Sequence, residues 1–439
     1  SRRQRQMCIR DSRMTGVKKR KGRSYSVSGS LSFADLMTIS GNYNKKDSDF
    51  HKLQQRLGTG NSDESYSATL KLYPNIILPT RWGIKTPITL GYTNSVATPK
   101  YHPGSDILTD SENDNFDIEE IQTKSEKISF STSFNKSKRS SNWLLKQTLD
   151  NISLNFSAIQ THKSNNQTLK ELKNNYEASS SYSYAFGKEN YISPFAFTKD
   201  WFFIGSILGE ARYYYTPDKI STNINFNEAG SRKIQRVSME DTTKSYSFNL
   251  SRKFILNHKI TKTLSSNYTK QIDSNLDDFR YNKMDAVQQM NPGLVKSISE
   301  KLTNTYSPGF LKWLNPTITY NPTYNWNLNI IDTLSTANVK SSSTFKTKIG
   351  LSLKELIELV YIPENKGTSS SSRGRGRGRS SSSSSSKKNI NVKNPVLRFM
   401  LGGVHTVVSK LNKISSTYTY TTAHDYNNIS SDLSTSYLY

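Results

Sequence analysis

From Asn315 to Ile330 the chain reads NPTITYNPTYNWNLNI, with two chemistries on alternate positions. Ile318, Tyr320, Pro322, Tyr324, Trp326, Leu328 and Ile330 are even-numbered; Thr317, Thr319, Asn321, Thr323, Asn325, Asn327 and Asn329 are odd. Successive side chains of a strand point to opposite faces. An extended chain with this pattern therefore has one apolar and one polar face, whereas a helix would scatter the same residues around its circumference.

The pattern recurs. Tyr25, Val27, Leu31 and Phe33 share a face in 23–33, as do Ile84, Ile88, Leu90 and Tyr92 in 83–94. Ile152, Leu154 and Phe156 align in NISLNFSA, and Tyr246, Phe248, Leu250, Phe254 and Leu256 in SYSFNLSRKFIL. Further stretches lie at 127–134, 180–187, 219–226, 345–353 and 414–422. The fold class expected is all-β. Several runs are about twice the usual strand of about 5–6 residues and reach the about 9–11 that a tilted strand needs to cross a bilayer. Length and alternation together point to a segment of a very large antiparallel transmembrane β-barrel, with long loops and a few short helices.

Composition supports that expectation. Only 33% of the 439 residues are hydrophobic, thin for a soluble protein of this size, yet 11% are aromatic, too many for a disordered chain. No apolar run approaches the about 18 residues of a membrane-spanning helix; the richest, WFFIGSILG at 201–209, is far shorter. A membrane would have to be met by strands.

Two prolines complicate the strands, because proline cannot donate to a ladder. Pro322 marks either a junction of two strands, a bulge or an open edge, and Pro87 raises the same question. Short helices are expected within 45–65, where Phe50, Leu53 and Leu57 are helically spaced, and around Leu294, Val295 and Ile298. A third is expected over 394–411, weakened by Gly402 and Gly403. Residues 367–388, a Ser/Arg/Gly tract, cannot build a core. Residues 1–12 resemble sequencing-adapter read-through. The division expected is that artefact, a barrel segment with long loops over 13–366, the low-complexity insert, and a continuing helix and strand over 389–439.

Motifs for catalysis are missing from the sequence. The six histidines are dispersed, the lone Cys8 lies in the read-through string, and no HExxH, GxSxG or Walker A stretch occurs. Neither an enzyme nor a cofactor is expected. An EF-hand loop starting at Asp110 needs Gly at its sixth position and Glu at its twelfth; Asn115 and Ile121 stand there. The formal charge of +25 is spread along the chain, so it reads as lumen and loop lysines or contacts with anionic lipid, with no nucleic acid expected as partner. Tyr213, Tyr214, Tyr215 and Trp201 read as an interfacial aromatic girdle.

Four phrases carry a family resemblance: DLMTISGNYNKKDSDFHKLQQRLG (35–58), WGIKTPITLGYTNSVATPKYHPGSDI (82–107), KRSSNWLLKQTLDNISLNFSA (138–158) and YYYTPDKISTNINF (213–226). They resemble the SprA family, called Sov in some members, the outer-membrane translocon of the type IX secretion system. The resemblance implies a channel that passes folded cargo to the cell surface, with accessory subunits of the secretion system in the outer membrane and periplasm as partners. It supplies no catalytic residue. Beside that family the chain is short, lacks a leader and carries the 367–388 insert, so it reads as an internal fragment.

The assignment that follows places Ile318, Tyr320, Tyr324, Trp326, Leu328, Ile330, Tyr246, Phe248, Leu250, Ile152, Leu154 and Phe156 toward lipid. It places Thr317, Thr319, Asn325, Asn327 and Asn329 toward a watery lumen whose weakly adhesive wall would not trap cargo. The rival reading is a soluble or surface-attached β-rich structural or adhesion protein, its apolar faces packed on each other.

Overall fold

A computed structural model describes residues 20–52, 58–109, 117–187, 189–198, 211–238, 242–288, 291–308, 313–331, 334–358, 395–408, 410–411 and 414–430. Expectations for residues 1–12, Leu53, Leu57, Asp110, Asn115, the stretch 201–209 and the insert 367–388 fall outside the described residues.

The fold is all-β and mostly antiparallel. Its strands are β1 (Ser24–Phe33), β2 (Met37–Lys46), β3 (Asn61–Leu72), β4 (Ile84–Lys85), β5 (Ile88–Pro99), β6 (Thr123–Lys136), β7 (Ile152–Ser164), β8 (Thr168–Ala185) and β9 (Tyr191–Ile192). They continue with β10 (Tyr213–Tyr214), β11 (Lys219–Gln235), β12 (Thr242–Lys259), β13 (Leu264–Asn275), β14 (Leu294–Tyr306), β15 (Thr317–Ile331), β16 (Leu334–Leu351) and β17 (Ile414–Ser430). Each alternating stretch of the sequence lies wholly or mostly inside a strand, and β8, β12 and β16 reach 18 residues.

The chain divides into two compact units. In the first, which runs to Tyr182 and includes Ile224–Leu250 and Asn275–Gly293, seven strands lie in the order β1-β2-β3-β5-β6-β7-β8, all antiparallel. The β1–β2 turn holds Ala34 and Asp35 at φ 39° and 59°, with Leu36 N–H donating to Phe33 O at 2.8 Å. Positive φ at both central positions is the hairpin turn whose twist matches the strands it joins. In the second unit, which comprises Ser183–Asn223, Ser251–Ser274 and the chain from Leu294, the strands run β14-β15-β16-β17.

Pro322 sits within one continuous strand. It pairs in register with Ser343 of β16, while on the β14 side the ladder skips from Lys301↔Thr323 to Asn304↔Tyr320 without changing register. The missing N–H opens a local gap; there is no bulge and no strand junction. Pro87 behaves alike: Ile84↔Lys136 and Ile88↔Thr132 keep one register along β6, with the pairing interrupted between them.

One helix expectation is corrected. Leu294, Val295 and Ile298 belong to strand β14, and Ile298 stands opposite Trp326. Their spacing fits a helical stripe, but the β-branched Val295 and Ile298 also suit a strand, and pairing with β15 decides. Around Phe50 the described chain is a turn rather than a helix. Near the C-terminal end, Pro395–Val408 is helical as expected, its proline at the tolerated first position. No helix among the described residues is long and apolar enough to cross a membrane, which leaves strands unaddressed.

Candidate functional surfaces

Residues directly opposite each other in an antiparallel pair project to the same side, so the registers fix the faces. Leu31, Ile39, Leu70, Leu90, Phe130, Ala158 and Tyr176 form one row across all seven strands of the first unit. Beside it runs Phe33, Met37, Leu72, Ile88, Thr132, Phe156 and Ala178. This apolar band is uncovered: Leu31 is 56% exposed and Leu90 41%.

The intervening positions face the other way. Ser30, Ser40, Thr69, Gly91, Ser129, Ile159 and Asn175 form one row, and Ser28, Asn42, Ser67, Thr93, Lys127, Thr161 and Lys173 another. Short hydroxyls here bond across strands, as between Ser153 and Ser181 at 2.5 Å. Toward one end the apolar band gives way to polar and charged groups, including Tyr43, Glu64 and Lys45, with Lys45 Nζ 3.4 Å from Glu64.

Of the residues assigned to lipid, Leu154 and Phe156 lie exposed on this band, and Ile152 continues their row opposite Tyr182. Phe248 and Leu250 are buried with Leu276, and Tyr246 packs beside them. Their immediate neighbours are protein: Leu276 N–H donates to Phe248 O, and Phe248 N–H to Asp277 Oδ1 at 2.6 Å.

In the second unit Ile318, Tyr320, Tyr324, Trp326, Leu328 and Ile330 share one face of β15, and Thr317, Thr319, Asn325, Asn327 and Asn329 share the other. The first face is not uniform. At one end Tyr320, Phe345 and Tyr420 form an open aromatic row, Tyr420 being 56% exposed. Further along, Tyr324 and Trp326 are enclosed with Ala337 and Val339, Leu328 packs against the cluster, and Trp326 is 3% exposed. In the row of Tyr324 itself the neighbouring strands contribute Glu300, Ser341 and His424. Glu300 is 5% exposed and its Oε1 lies 2.6 Å from Lys270 Nζ. On the opposite face Ser299 Oγ donates to Asn325 Oδ1 at 2.8 Å.

Sequence reasoning did not single out Glu300, Lys270 or His424. The parity of Glu300 relative to Tyr324 is fixed only by the register of β14 against β15, and that of His424 by the registers of β15 with β16 and of β16 with β17. Tyr213 and Tyr214 form β10 against β9, where Arg212 lies 4.3 Å over the Tyr191 ring; Trp201 is outside the described residues.

The β6–β7 connection is tied by Asp150. Ser140 donates through N at 2.5 Å and Oγ at 2.8 Å, and Lys136 Nζ is 2.5 Å away. Burial alone would raise the Asp150 carboxyl, but the hydrogen bonds from Lys136 and Ser140 outweigh it and hold the group below its ordinary value.

Among the described residues no three of His, Cys, Asp or Glu gather closely enough to hold a metal ion. A two-faced sheet with this wall chemistry can separate a hydrocarbon medium from water. No known family model and no curated protein matches the chain.

Proposed function

We propose that this chain is part of the wall of an outer-membrane β-barrel that conducts proteins to the cell surface, a translocon of the SprA/Sov kind. The observation that supports it is the uncovered apolar band across seven consecutive strands of the first unit, backed by a face of Ser, Thr, Asn and Lys. Water-exposed apolar surface of that extent calls for a cover, and hydrocarbon covers it without needing shape complementarity. The hydroxyl- and amide-rich face would line the passage, where weak, uniform polarity lets cargo slide. Cargo proteins and accessory subunits are the partners in this reading, and the driving energy comes from elsewhere.

Membrane fractionation together with heat-modifiable migration in detergent gels tests it. The chain is expected in the outer-membrane fraction, released only by detergent and migrating faster unheated. Full recovery in the aqueous fraction without detergent would sink the reading in favour of the surface-attached or soluble alternative.

A further inference from the structure

Along β11, alternation puts Phe226, Glu228, Gly230 and Arg232 on one face; along β12 it does the same for Leu250, Phe248, Tyr246 and Lys244. Both series run from carbon to charge. Phe226 and Phe248 belong to one apolar cluster, ring centroids 6.4 Å apart. Past it a cavity of about 360 Å³ opens, lined by Asn174, Gly230, Arg232, Lys244, Tyr246 and Arg280 among others, with no carboxylate among the described residues of its wall.

Three cations from three chain segments thus converge on one cavity, where their mutual repulsion is relieved by an anion. Glu228, on the same face, is already engaged: its Oε2 is 2.5 Å from Lys283 Nζ, and its Oε1 accepts from Tyr246 Oη at 3.2 Å. The Arg280 guanidinium carbon lies over the Tyr246 ring, 4.4 Å from its centroid, a cation–π contact that holds the cation without a carboxylate. Asn174 Oδ1 is enclosed without a hydrogen-bond partner. Turned half a revolution, that amide offers two N–H donors instead.

A second cavity lies on the same strands. It measures about 420 Å³ and is lined by Phe134, Leu154, Phe156, Ala178 and Phe226 among others. On β8 it is four residues from the basic pocket (Ala178 to Asn174), and on β11 likewise (Phe226 to Gly230). At about 3.3 Å per residue both offsets are about 13 Å, short enough for one phospholipid to reach both.

We propose that the first unit binds a phosphate-bearing lipid, its phosphate held by Arg232, Lys244 and Arg280 and an acyl chain seated in the apolar cavity. The lipid source rests on the membrane reading above; the phosphate chemistry rests on the pocket itself.

The test uses the full chain in an uncharged detergent and titration calorimetry with inorganic phosphate, dihexanoyl phosphatidic acid and dihexanoyl phosphatidylcholine. Phosphatidic acid is expected to bind about tenfold or more tighter than either of the others, since only it engages both cavities with a matched charge. R232Q/K244Q should weaken phosphatidic acid by about tenfold or more, whereas R232K/K244R, which keeps the charges, should stay within about threefold. Ala178→Trp, which fills the apolar cavity, should bring phosphatidic acid down to the affinity of inorganic phosphate. Equal affinities of the parent chain for phosphate and phosphatidic acid would remove the lipid. Unchanged phosphatidic acid binding in R232Q/K244Q would remove the pocket. Failure of the membrane reading shows in fractionation, independently of this titration.

Discussion

Leu70 stands directly across from Leu90, while their neighbours Thr69 and Gly91, also paired, face the opposite side of the sheet. One step along the chain therefore changes the sheet face, apolar or hydroxyl-rich, on which a side chain lies. On the membrane reading, Leu70→Arg should destabilise by about 2–4 kcal/mol near the bilayer midplane, and Thr69→Arg by far less, since it stays on the wetted face. Urea unfolding from lipid vesicles measures both. Equal losses at the two positions would contradict the facing.

Glu300 and Lys270 test a different kind of environment. The carboxylate is almost fully enclosed while the ammonium is one-third exposed. Lys270→Met strands a buried charge, a change that typically costs about 3–5 kcal/mol. Adding Glu300→Gln should recover a substantial part of that loss, because a neutral amide tolerates enclosure better. A double variant no more stable than Lys270→Met alone would show that the pair contributes little.

Much of this architecture was legible because a period of two survives any tertiary context: the alternating stretches fall in strands, and the parity within β15 separates Trp326 from Asn327 as read from sequence. What could not be read was register. Whether Glu300 or Ser299 shares a face with Tyr324 depends on the pairing of β14 with β15, and that pairing is a long-range choice. The same blindness made Leu294, Val295 and Ile298 look helical, since a short apolar run is ambiguous until its partner is known. Pro322 was legible as an irregularity but not as which one, because only the β14 side loses its bonds.

Asp150 makes the β6–β7 connection sensitive to acid. Its folded pKa lies below its unfolded value, so the stabilisation it provides is present above the unfolded value and is lost as pH falls through the folded one. With an unfolded aspartate at about 3.9, the protection factor of the Ser140 amide, whose N–H it accepts, should be high at neutral pH and fall as acidification passes below the unfolded value. Asp150→Asn should show the low protection factor at neutral pH and flatten the profile. An unaltered profile in that variant would mean that the connection is held by other contacts.

Trp326 separates protein packing from solvent choice. Its ring lies among Tyr324, Ala337 and Val339, with Ile298 and Leu328 closing the cluster, so its surroundings are other side chains whichever medium the sheet meets. Trp326→Ala should cost about 3–5 kcal/mol, the range for emptying an aromatic site in a packed interior. The loss should be nearly the same in detergent micelles and in lipid vesicles. On the membrane reading, Leu70→Arg should by contrast vary with bilayer composition and thickness, because lipid is then its neighbour. If the Trp326→Ala loss instead tracks the lipid, the cluster is open to hydrocarbon and the enclosure described for it does not hold in the membrane.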